Sequence, residues 1–190
     1  MGNREALLAG AKACLREKGY DRTGVRDIAT AAGVSTAAIG YHYGSREALL
    51  NQALFEILDE WGDSMARALV RDADGSSKRH FEGMWESLIA DFTAHPDLWL
   101  ASMELFMQAR RRPELRGALA EGTARGRRGL AALLDGVPEG EVAETSVRTL
   151  GSVQLALMSG VMIQHLSDPA AAPSAAEVLE GLRGLGDLAR

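Results

Sequence analysis

Apolar residues return every three or four positions along most of the chain, which is the spacing of one face of an α-helix. Stretches that alternate apolar and polar residues, as a half-buried strand requires, are hard to find. The first apolar stripe ends at Gly19, a residue favoured just beyond the end of a helix. Its members are Leu7, Leu8, Ala11, Cys14 and Leu15. The pattern predicts an all-α protein with about nine helices.

Glycine, proline and short polar runs mark the breaks between the helical segments. The breaks fall at residues 19–21, 33, 44–45, 72–77, 95–96, 112–113, 135–140 and 167–174. The first three segments are therefore short, whereas the fourth runs from about residue 46 to about residue 71. We expect two domains, the first over residues 1–50 and the second over residues 51–190.

The second and third segments are short and are joined at Gly33. Glycine allows the tight left-handed turn that such a junction needs. We expect Thr23 to cap the second helix and Ser35 to cap the third, because their hydroxyls can accept hydrogen bonds from free backbone N–H groups. Two short helices in this arrangement form a helix-turn-helix, whose second helix can enter the major groove of DNA.

The run GYDRTGVRDIATAAGVSTAAIGYHYGSREALL, which begins at Gly19, resembles the DNA-binding signature of the tetracycline-repressor (TetR) family of transcriptional regulators. The resemblance covers roughly residues 3–50. It rests on Thr23, Arg26-Asp27-Ile28-Ala29, Ala32-Gly33-Val34-Ser35, Tyr41-His42-Tyr43 and Ser45-Arg46-Glu47. It implies an N-terminal three-helix DNA-binding domain followed by a larger helical domain that binds a small molecule and dimerises.

The resemblance also implies roles for single side chains. Thr36 and Tyr41 match positions that commonly touch the phosphate backbone or base edges, and His42 matches a common backbone contact. Arg46 replaces the usual lysine at the start of the fourth helix, where we expect a phosphate contact. Gly40 replaces a usual aromatic residue, so it permits either close packing or close approach to DNA. The predicted DNA-contact set is Thr23, Arg26, Ser35, Thr36, Ala37, Ala38, Gly40, Tyr41, His42 and Arg46.

Several of these residues also have a plainer interpretation. Arg26 is either a phosphate contact or an ordinary solvated charge. Ala37 and Ala38 can touch thymine methyl groups. Tyr43 shares a helix face with Ile39, so we expect it in the core rather than on DNA.

Charge is distributed unevenly along the chain. Residues 1–50 carry seven basic and five acidic residues, a net charge of +2, whereas the remainder has a net charge of −7. The difference permits a polyanion at the N-terminal end, with the acidic remainder turned away from it. Because the third helix carries few charges, one unit would bind double-stranded DNA weakly. We therefore expect a homodimer that binds two half-sites of a palindromic operator.

The last two helical segments are the predicted dimer surface. Residues 141–166 and 174–188 carry apolar stripes, and small residues are interleaved in the first of them. Two such helices from each subunit would form a four-helix bundle about a twofold axis. The alternative is that both helices complete the core of a monomer.

Residues 61–107 contain all three tryptophans, three of the four phenylalanines and four of the seven methionines. Large aromatic and flexible thioether side chains suit an adaptable apolar pocket, and a later helix can add polar contacts. The alternative is an ordinary core. The predicted effector-binding set is Trp61, Met65, Met84, Trp85, Trp99, Met103, Phe106, Met107, Gln154, Met158, Met162 and His165.

Enzyme motifs are missing from the sequence: it has no Gly-x-Ser-x-Gly, no phosphate-binding loop after a strand and no His-Glu-x-x-His. The four histidines lack metal-site spacing, so we expect neither a metal nor a cofactor. We expect a cytoplasmic protein without a membrane span, because charges interrupt the N-terminal apolar stretch and no apolar run reaches about 18 residues.

The sequence therefore predicts a ligand-responsive repressor, released from its operator by a small, mostly apolar effector. Two alternatives stay open. One is a helix-turn-helix protein or co-regulator that responds to no ligand, and the other is a catalytic helical domain fused to a helix-turn-helix.

Overall fold

The computed structural model describes residues 2–71, 77–111 and 113–189, and it describes their side chains except at residues 65–71, 77–80, 108, 111 and 114. All regular elements within these ranges are helices, which confirms the all-α prediction. They are α1 (Asn3–Lys18), α2 (Val25–Ala32), α3 (Ala37–Tyr43), α4 (Arg46–Arg71), α5 (Ser77–Ala94), α6 (Pro96–Arg111), α7 (Pro113–Asp135), α8 (Glu144–Ser167) and α9 (Ala175–Leu188). Helix α8 contains a π-helical turn at Val147–Gly151.

The chain forms two compact units. The first consists of Met1–Trp61 with Asp97–Gly122, and the second consists of Gly62–Pro96 with Thr123–Arg190. This division differs from the expected boundary at residue 50. The reason is that α4 and α6 both supply core residues to the first unit: Leu49, Leu50, Ala53, Leu54 and Ile57 from α4, and Leu98, Ala101 and Leu105 from α6.

Helices α1 and α2 cross closely in the first unit at Gly10. A Cβ atom at this position would lie 3.0 Å from both the Ile28 carbonyl oxygen and the Ala32 backbone nitrogen. Cys14 lies further along α1 and is buried in the same core, as its place in the apolar stripe predicts. Burial raises the pKa of the Cys14 thiol.

The polar side of α1 is joined to α4. Lys12 Nζ lies 3.1 Å from a carboxylate oxygen of Glu56 and also donates to Glu60, and Arg16 donates to Glu60 over 3.0 Å. The hydrogen bond to Glu60 raises the pKa of Lys12, and the same bond lowers the pKa of Glu60. The basic groups on this side of α1 are thus already paired within the protein.

The second unit has its tightest helix crossing at Gly151, in the π-helical turn of α8. A Cβ atom built on Gly151 would lie only 2.1 Å from the carbonyl oxygen of Arg127 on α7, so only glycine fits here. Ala131, Ala132, Val142 and Val147 form a small core cluster of this unit. Helix α5 packs against both α8 and α9.

Helix α8 is apolar around most of its circumference. It is long and apolar enough to cross a membrane by length and composition, although core helices of soluble proteins meet the same criterion. One face is buried in the second unit and includes Gln154, Met158, Val161, Met162 and His165. On the outward side, Leu150, Val153 and Ile163 are exposed.

Candidate nucleic-acid interface

The turn between α2 and α3 has the geometry that the sequence predicts. Gly33 adopts a left-handed conformation with φ of 66°, and its N–H donates to the carbonyls of Ala29 and Thr30. The N–H of Val34 donates to the Ala29 carbonyl over 3.1 Å, which closes the turn. Only glycine adopts this φ without strain, so Gly33 fixes the direction in which α3 leaves α2.

The start of α2 is capped differently from our prediction. Gly24 is the N-cap residue, and its N–H donates to Asp27 Oδ2 over 2.8 Å. The other carboxylate oxygen of Asp27 accepts from Lys18 Nζ at 2.6 Å, which ties the end of α1 to the start of α2. The hydrogen bond from Lys18 lowers the pKa of Asp27 most, and the hydrogen bond from the Gly24 N–H lowers it further.

Thr23 is wrongly predicted both as a cap and as a DNA contact. Its side chain is fully buried, with 0% exposure. The hydroxyl lies 2.7 Å from the carbonyl oxygen of Gly19 and 3.2 Å from that of Cys14, so it donates back to the end of α1. Thr23 therefore stabilises the α1–α2 loop and has no surface left for DNA.

Helix α3 begins one residue later than its predicted cap implies. Thr36 is the N-cap residue rather than Ser35, and its hydroxyl makes no capping bond. The backbone carbonyls of Ser35 and Thr36 accept from the N–H groups of Ala38 and Ile39. Both hydroxyl side chains are exposed. They are thus available to a partner outside the chain.

The outward face of α3 carries Ala37, Gly40 and Tyr41 at helical spacing, and all three are exposed. Tyr41 is 86% exposed, an unusual position for an aromatic side chain, and its ring meets the half-buried His42 edge-on at 4.8 Å. Ile39 is buried on the opposite side. Helix α3 therefore presents a small, nearly uncharged surface with one prominent aromatic ring.

Gly40 and Ala38 differ in what surrounds them. A Cβ atom on Gly40 would meet no atom of the described chain within 4 Å, so internal packing does not explain the glycine. Ala38, in contrast, is partly buried against the core of the first unit. Of the two alanines predicted to meet thymine methyl groups, Ala37 is the exposed one.

Tyr43 lies against the core, as the sequence predicts. Its hydroxyl donates to the Arg4 carbonyl over 2.6 Å, and the Arg4 guanidinium lies 5.3 Å from the ring centroid. Burial raises the pKa of Tyr43. This residue joins α3 to α1, so it orients the surface that Tyr41 presents.

Arg46 has an internal role that the sequence did not indicate. Its guanidinium donates to the carbonyls of Tyr20, over 2.6 Å, and of Thr23, and it lies 3.1 Å from a carboxylate oxygen of Glu47. It also lies over the Tyr20 ring, whose hydroxyl donates to buried Asn51. Arg46 therefore fastens the α1–α2 loop to α4, and this geometry does not support the expected phosphate contact.

The sequence leaves open whether Arg26 contacts phosphate or is only a solvated charge. The structure describes all seven basic residues within positions 1–50, and of these Arg26 alone has no hydrogen bond, ion pair or ring contact from its side chain. It is exposed in the first turn of α2. An unpaired guanidinium at this end of the helix-turn-helix suits a phosphate group.

The predicted effector-binding residues fall in both compact units. Trp61, Trp99, Met103, Phe106 and Met107 belong to the first, where the Trp61 and Trp99 rings meet edge-on at 5.0 Å. Phe106 and Met107 are exposed. The side chain of Met65 lies outside the described residues. Met84, Trp85, Gln154, Met158, Met162 and His165 belong to the second unit and are all buried.

Two of these buried residues lack a hydrogen-bond partner. Trp85 Nε1 and Gln154 Nε2 have no acceptor in the part of the chain that the structure describes. His165, by comparison, is bonded through Nε2 to the Pro173 carbonyl over 3.0 Å, and its ring lies 6.2 Å from that of Phe92. The second unit thus holds two polar groups that no described residue of the protein satisfies.

The helix-turn-helix and the larger helical part define a class of bacterial regulators. A family model described as bacterial regulatory proteins of the tetR family matches residues 7–53. A second, described as the tetracyclin repressor-like C-terminal domain, matches residues 76–188. The second match covers more than half of the chain. The chain belongs to the TetR family, which confirms the resemblance.

Comparison with individual proteins agrees with this family assignment. The chain is 32% identical over 124 residues to the HTH-type transcriptional repressor Rv1474c of Mycobacterium tuberculosis, covering 64% of this chain but only 58% of that protein. A TetR-family regulator from Mesorhizobium loti is 18% identical, with a TM-score of 0.66 over 93% of this chain and 89% of that one. Thermus thermophilus FadR, a TetR-family repressor solved with lauroyl-CoA, is 21% identical, with a TM-score of 0.64 over 95% and 91%. At these identities the two structures share the fold.

Proposed function

We propose that the protein is a homodimeric transcriptional repressor that binds a palindromic operator and is released by a small, mostly apolar effector. The observation that carries the proposal is the outward face of α3. There Ala37, Gly40 and Tyr41 are exposed, and no packing contact of the described chain accounts for Gly40, on a helix whose direction Gly33 fixes. A smooth surface of this kind allows a helix backbone to lie deep in the major groove.

DNA affinity in this proposal comes from few charges. Arg26 supplies the unpaired cation, and the exposed hydroxyls of Ser35 and Thr36 supply uncharged donors to phosphate oxygens. Tyr41 and His42 lie at the groove, and Ala37 meets a thymine methyl. One such surface binds weakly, so the operator requires two of them at the spacing of one helical turn of DNA or a multiple of it.

Dimerisation is supported by the outward faces of α8 and α9. Leu150, Val153 and Ile163 on α8, with Leu185 and Leu188 on α9, are large apolar side chains exposed on a single chain. Exposure of several large apolar side chains is typical of a subunit interface. A dimer interface on this face also explains why the outward side of α8 is apolar. Such a regulator acts in the cytoplasm, where its operator is.

The dimer can be tested with a matched pair of variants. Val153→Glu places a charge on the exposed face of α8, and Val137→Glu places the same charge on the loop after α7. We expect the first variant to sediment as a monomer and to lose operator affinity, and the second to behave as the wild type. A dimeric Val153→Glu would contradict this interface.

The regulator itself is tested by selecting bound fragments from a genomic or random DNA pool. We expect the wild-type protein to enrich an inverted repeat, and Tyr41→Ala to enrich it poorly while keeping its fold. The selection is repeated with apolar compounds present, which should release the enriched sequence. Equal recovery of all sequences at every salt concentration would overturn the proposal.

A further inference from the structure

The side chains of Trp85 on α5 and Gln154 on α8 are buried without being satisfied. Trp85 is 0% exposed and Gln154 is 3% exposed, and neither Trp85 Nε1 nor Gln154 Nε2 has an acceptor among the described residues. An indole N–H can only donate a hydrogen bond, so its missing partner must be an acceptor. Buried donors of this kind are rare because they forfeit their hydrogen bonds to water.

The other buried side chains of α5 and α8 are mostly apolar. Met84, Leu88 and Phe92 are buried on α5 with Trp85, and Met158 and Met162 are buried on α8 with Gln154. The two helices pack against each other within the second unit. Unbranched methionine side chains can move aside for a guest molecule more readily than branched ones. The surroundings thus favour a ligand that is apolar except at one acceptor.

The charge of the ligand follows from the groups that are buried with it. Among the described residues, no lysine or arginine is buried in the second unit. His165, the histidine that is buried among the described residues, already bonds the Pro173 carbonyl through Nε2. A buried carboxylate without a cationic partner would lose its hydration and gain little in return. A neutral carbonyl oxygen accepts hydrogen bonds without that penalty.

We propose that α5 and α8 bind an uncharged, largely apolar effector whose carbonyl oxygen accepts a hydrogen bond from Trp85 Nε1, with the Gln154 amide as the second polar contact. Ketones, esters and amides are the chemical classes that fit. The inference rests on the proposed effector response and adds to it the chemistry that the effector must carry.

Three probes of similar size separate the possible chemistries: methyl octanoate as a neutral ester, octanoate as an anion, and nonane as a hydrocarbon. Binding to the full-length protein is measured by calorimetry. We expect the ester to bind more tightly than either of the other two probes. Tighter or equal binding of octanoate or nonane, or no binding of the ester, would overturn the proposal.

Variants identify the donors. In Trp85→Phe the ring remains but the N–H is gone, so we expect the ester-to-nonane affinity ratio to fall about tenfold, as for one hydrogen bond. Taking this ratio within one variant cancels any loss of packing. Gln154→Leu should lower the ratio as well, and Gln52→Leu, the same exchange on α4 in the first unit, should leave it unchanged. An unaltered ratio in Trp85→Phe contradicts the assignment.

The free protein offers a second measurement. Gln154→Leu replaces an amide whose Nε2 has no partner among the described residues with an apolar side chain of similar size. Its melting temperature should therefore equal or exceed that of the wild type, by up to about 3 °C. A clear fall would mean that the amide is satisfied in the free protein. Operator binding without any probe is measured in parallel. If the protein without a probe binds no operator, the proposed repressor function is wrong but the ester site is not. If the protein shows no preference for the ester, only the proposed site is wrong.

Discussion

The two compact units differ in how they treat their buried polar groups. In the first unit Thr23, Asn51 and Ser102 are buried, and each takes part in a hydrogen bond within that unit. In the second unit Trp85 and Gln154 keep unsatisfied donors in the described chain. Complete internal bonding specifies one arrangement of a core, whereas unsatisfied donors leave part of the bonding to a partner molecule. The proposed repressor requires such a difference, because its DNA-binding unit keeps one geometry while its effector-binding unit bonds a guest molecule.

The charged side chains near the N-terminus of the first unit are also bonded within the protein. Within residues 1–50, the basic side chains other than Arg26 are held by acidic side chains, backbone carbonyls or an aromatic ring. Each exposed pair adds little stability by itself. Together they leave few cations for DNA, so the net charge of this segment overstates its electrostatic attraction to phosphate.

The largest expected effect concerns the second unit. Gly151→Ala should lower the free energy of unfolding by about 3 kcal/mol or more, because its Cβ would overlap the Arg127 carbonyl and force α7 and α8 apart. Gly126→Ala on α7 is the control, since its Cβ would meet no atom of the described chain within 4 Å. Denaturant unfolding compares the two. Equal stabilities would show that α7 and α8 do not depend on this contact.

Arg46→Ala tests the internal bonding of the first unit. We expect a loss of about 1–3 kcal/mol in the free energy of unfolding, because the carbonyls of Tyr20 and Thr23 lose their donor. Arg46→Lys should recover only part of it, since an ammonium cannot reproduce the planar guanidinium fork. Denaturant unfolding gives the stability, and DNA titration over a salt series gives the slope. A stable variant with a shallower salt slope would restore the phosphate contact first expected for Arg46.

Arg26→Ala should affect DNA binding and leave stability unchanged, the opposite of what we expect for Arg46→Ala. Its stability should stay within about 0.5 kcal/mol of the wild type, because the exposed side chain has no hydrogen bond, ion pair or ring contact in the described chain that would be lost. Operator affinity should fall, and the slope of log affinity against log salt should decrease by about one per subunit. Arg22→Ala, which removes a guanidinium already paired with Asp97 at 2.8 Å, is the control. An unchanged slope in Arg26→Ala would make Arg26 a solvated charge only.

The smallest effect concerns pH. The pKa of Asp27 is lowered in the folded protein by Lys18 and the Gly24 N–H, so the ionised carboxylate adds stability at neutral pH. That contribution is lost as the pH falls below the ordinary value of 3.8 and through the folded pKa. Asp27→Asn should therefore be less stable than the wild type at pH 7, and the gap should close in acid. A gap independent of pH in urea unfolding would contradict this assignment.

Local signals in the sequence anticipated much of the first unit. The turn follows from the conformational freedom of Gly33, and the partly buried Tyr43 follows from its helical spacing to Ile39. The prediction for Tyr41 came from the family resemblance. Thr23, Ser35 and Arg46 were assigned wrongly or incompletely because their partners are backbone groups and chain positions that spacing alone does not reveal. The hydroxyl of Thr23 donates to Gly19, nearby in sequence, but the guanidinium of Arg46 meets carbonyls more than twenty positions earlier.

The amino-acid sequence by itself determined the helical class, the helix-turn-helix and the TetR resemblance, because each rests on patterns among residues that are close in sequence. Only the tertiary structure decided that α6 belongs to the core of the first unit and that Arg46 serves the fold while Arg26 stays unpaired. It also decided that Trp85 Nε1 and Gln154 Nε2 are buried without acceptors among the described residues. These properties depend on which segments distant in sequence meet, and burial and hydrogen-bond satisfaction are defined only once they have met.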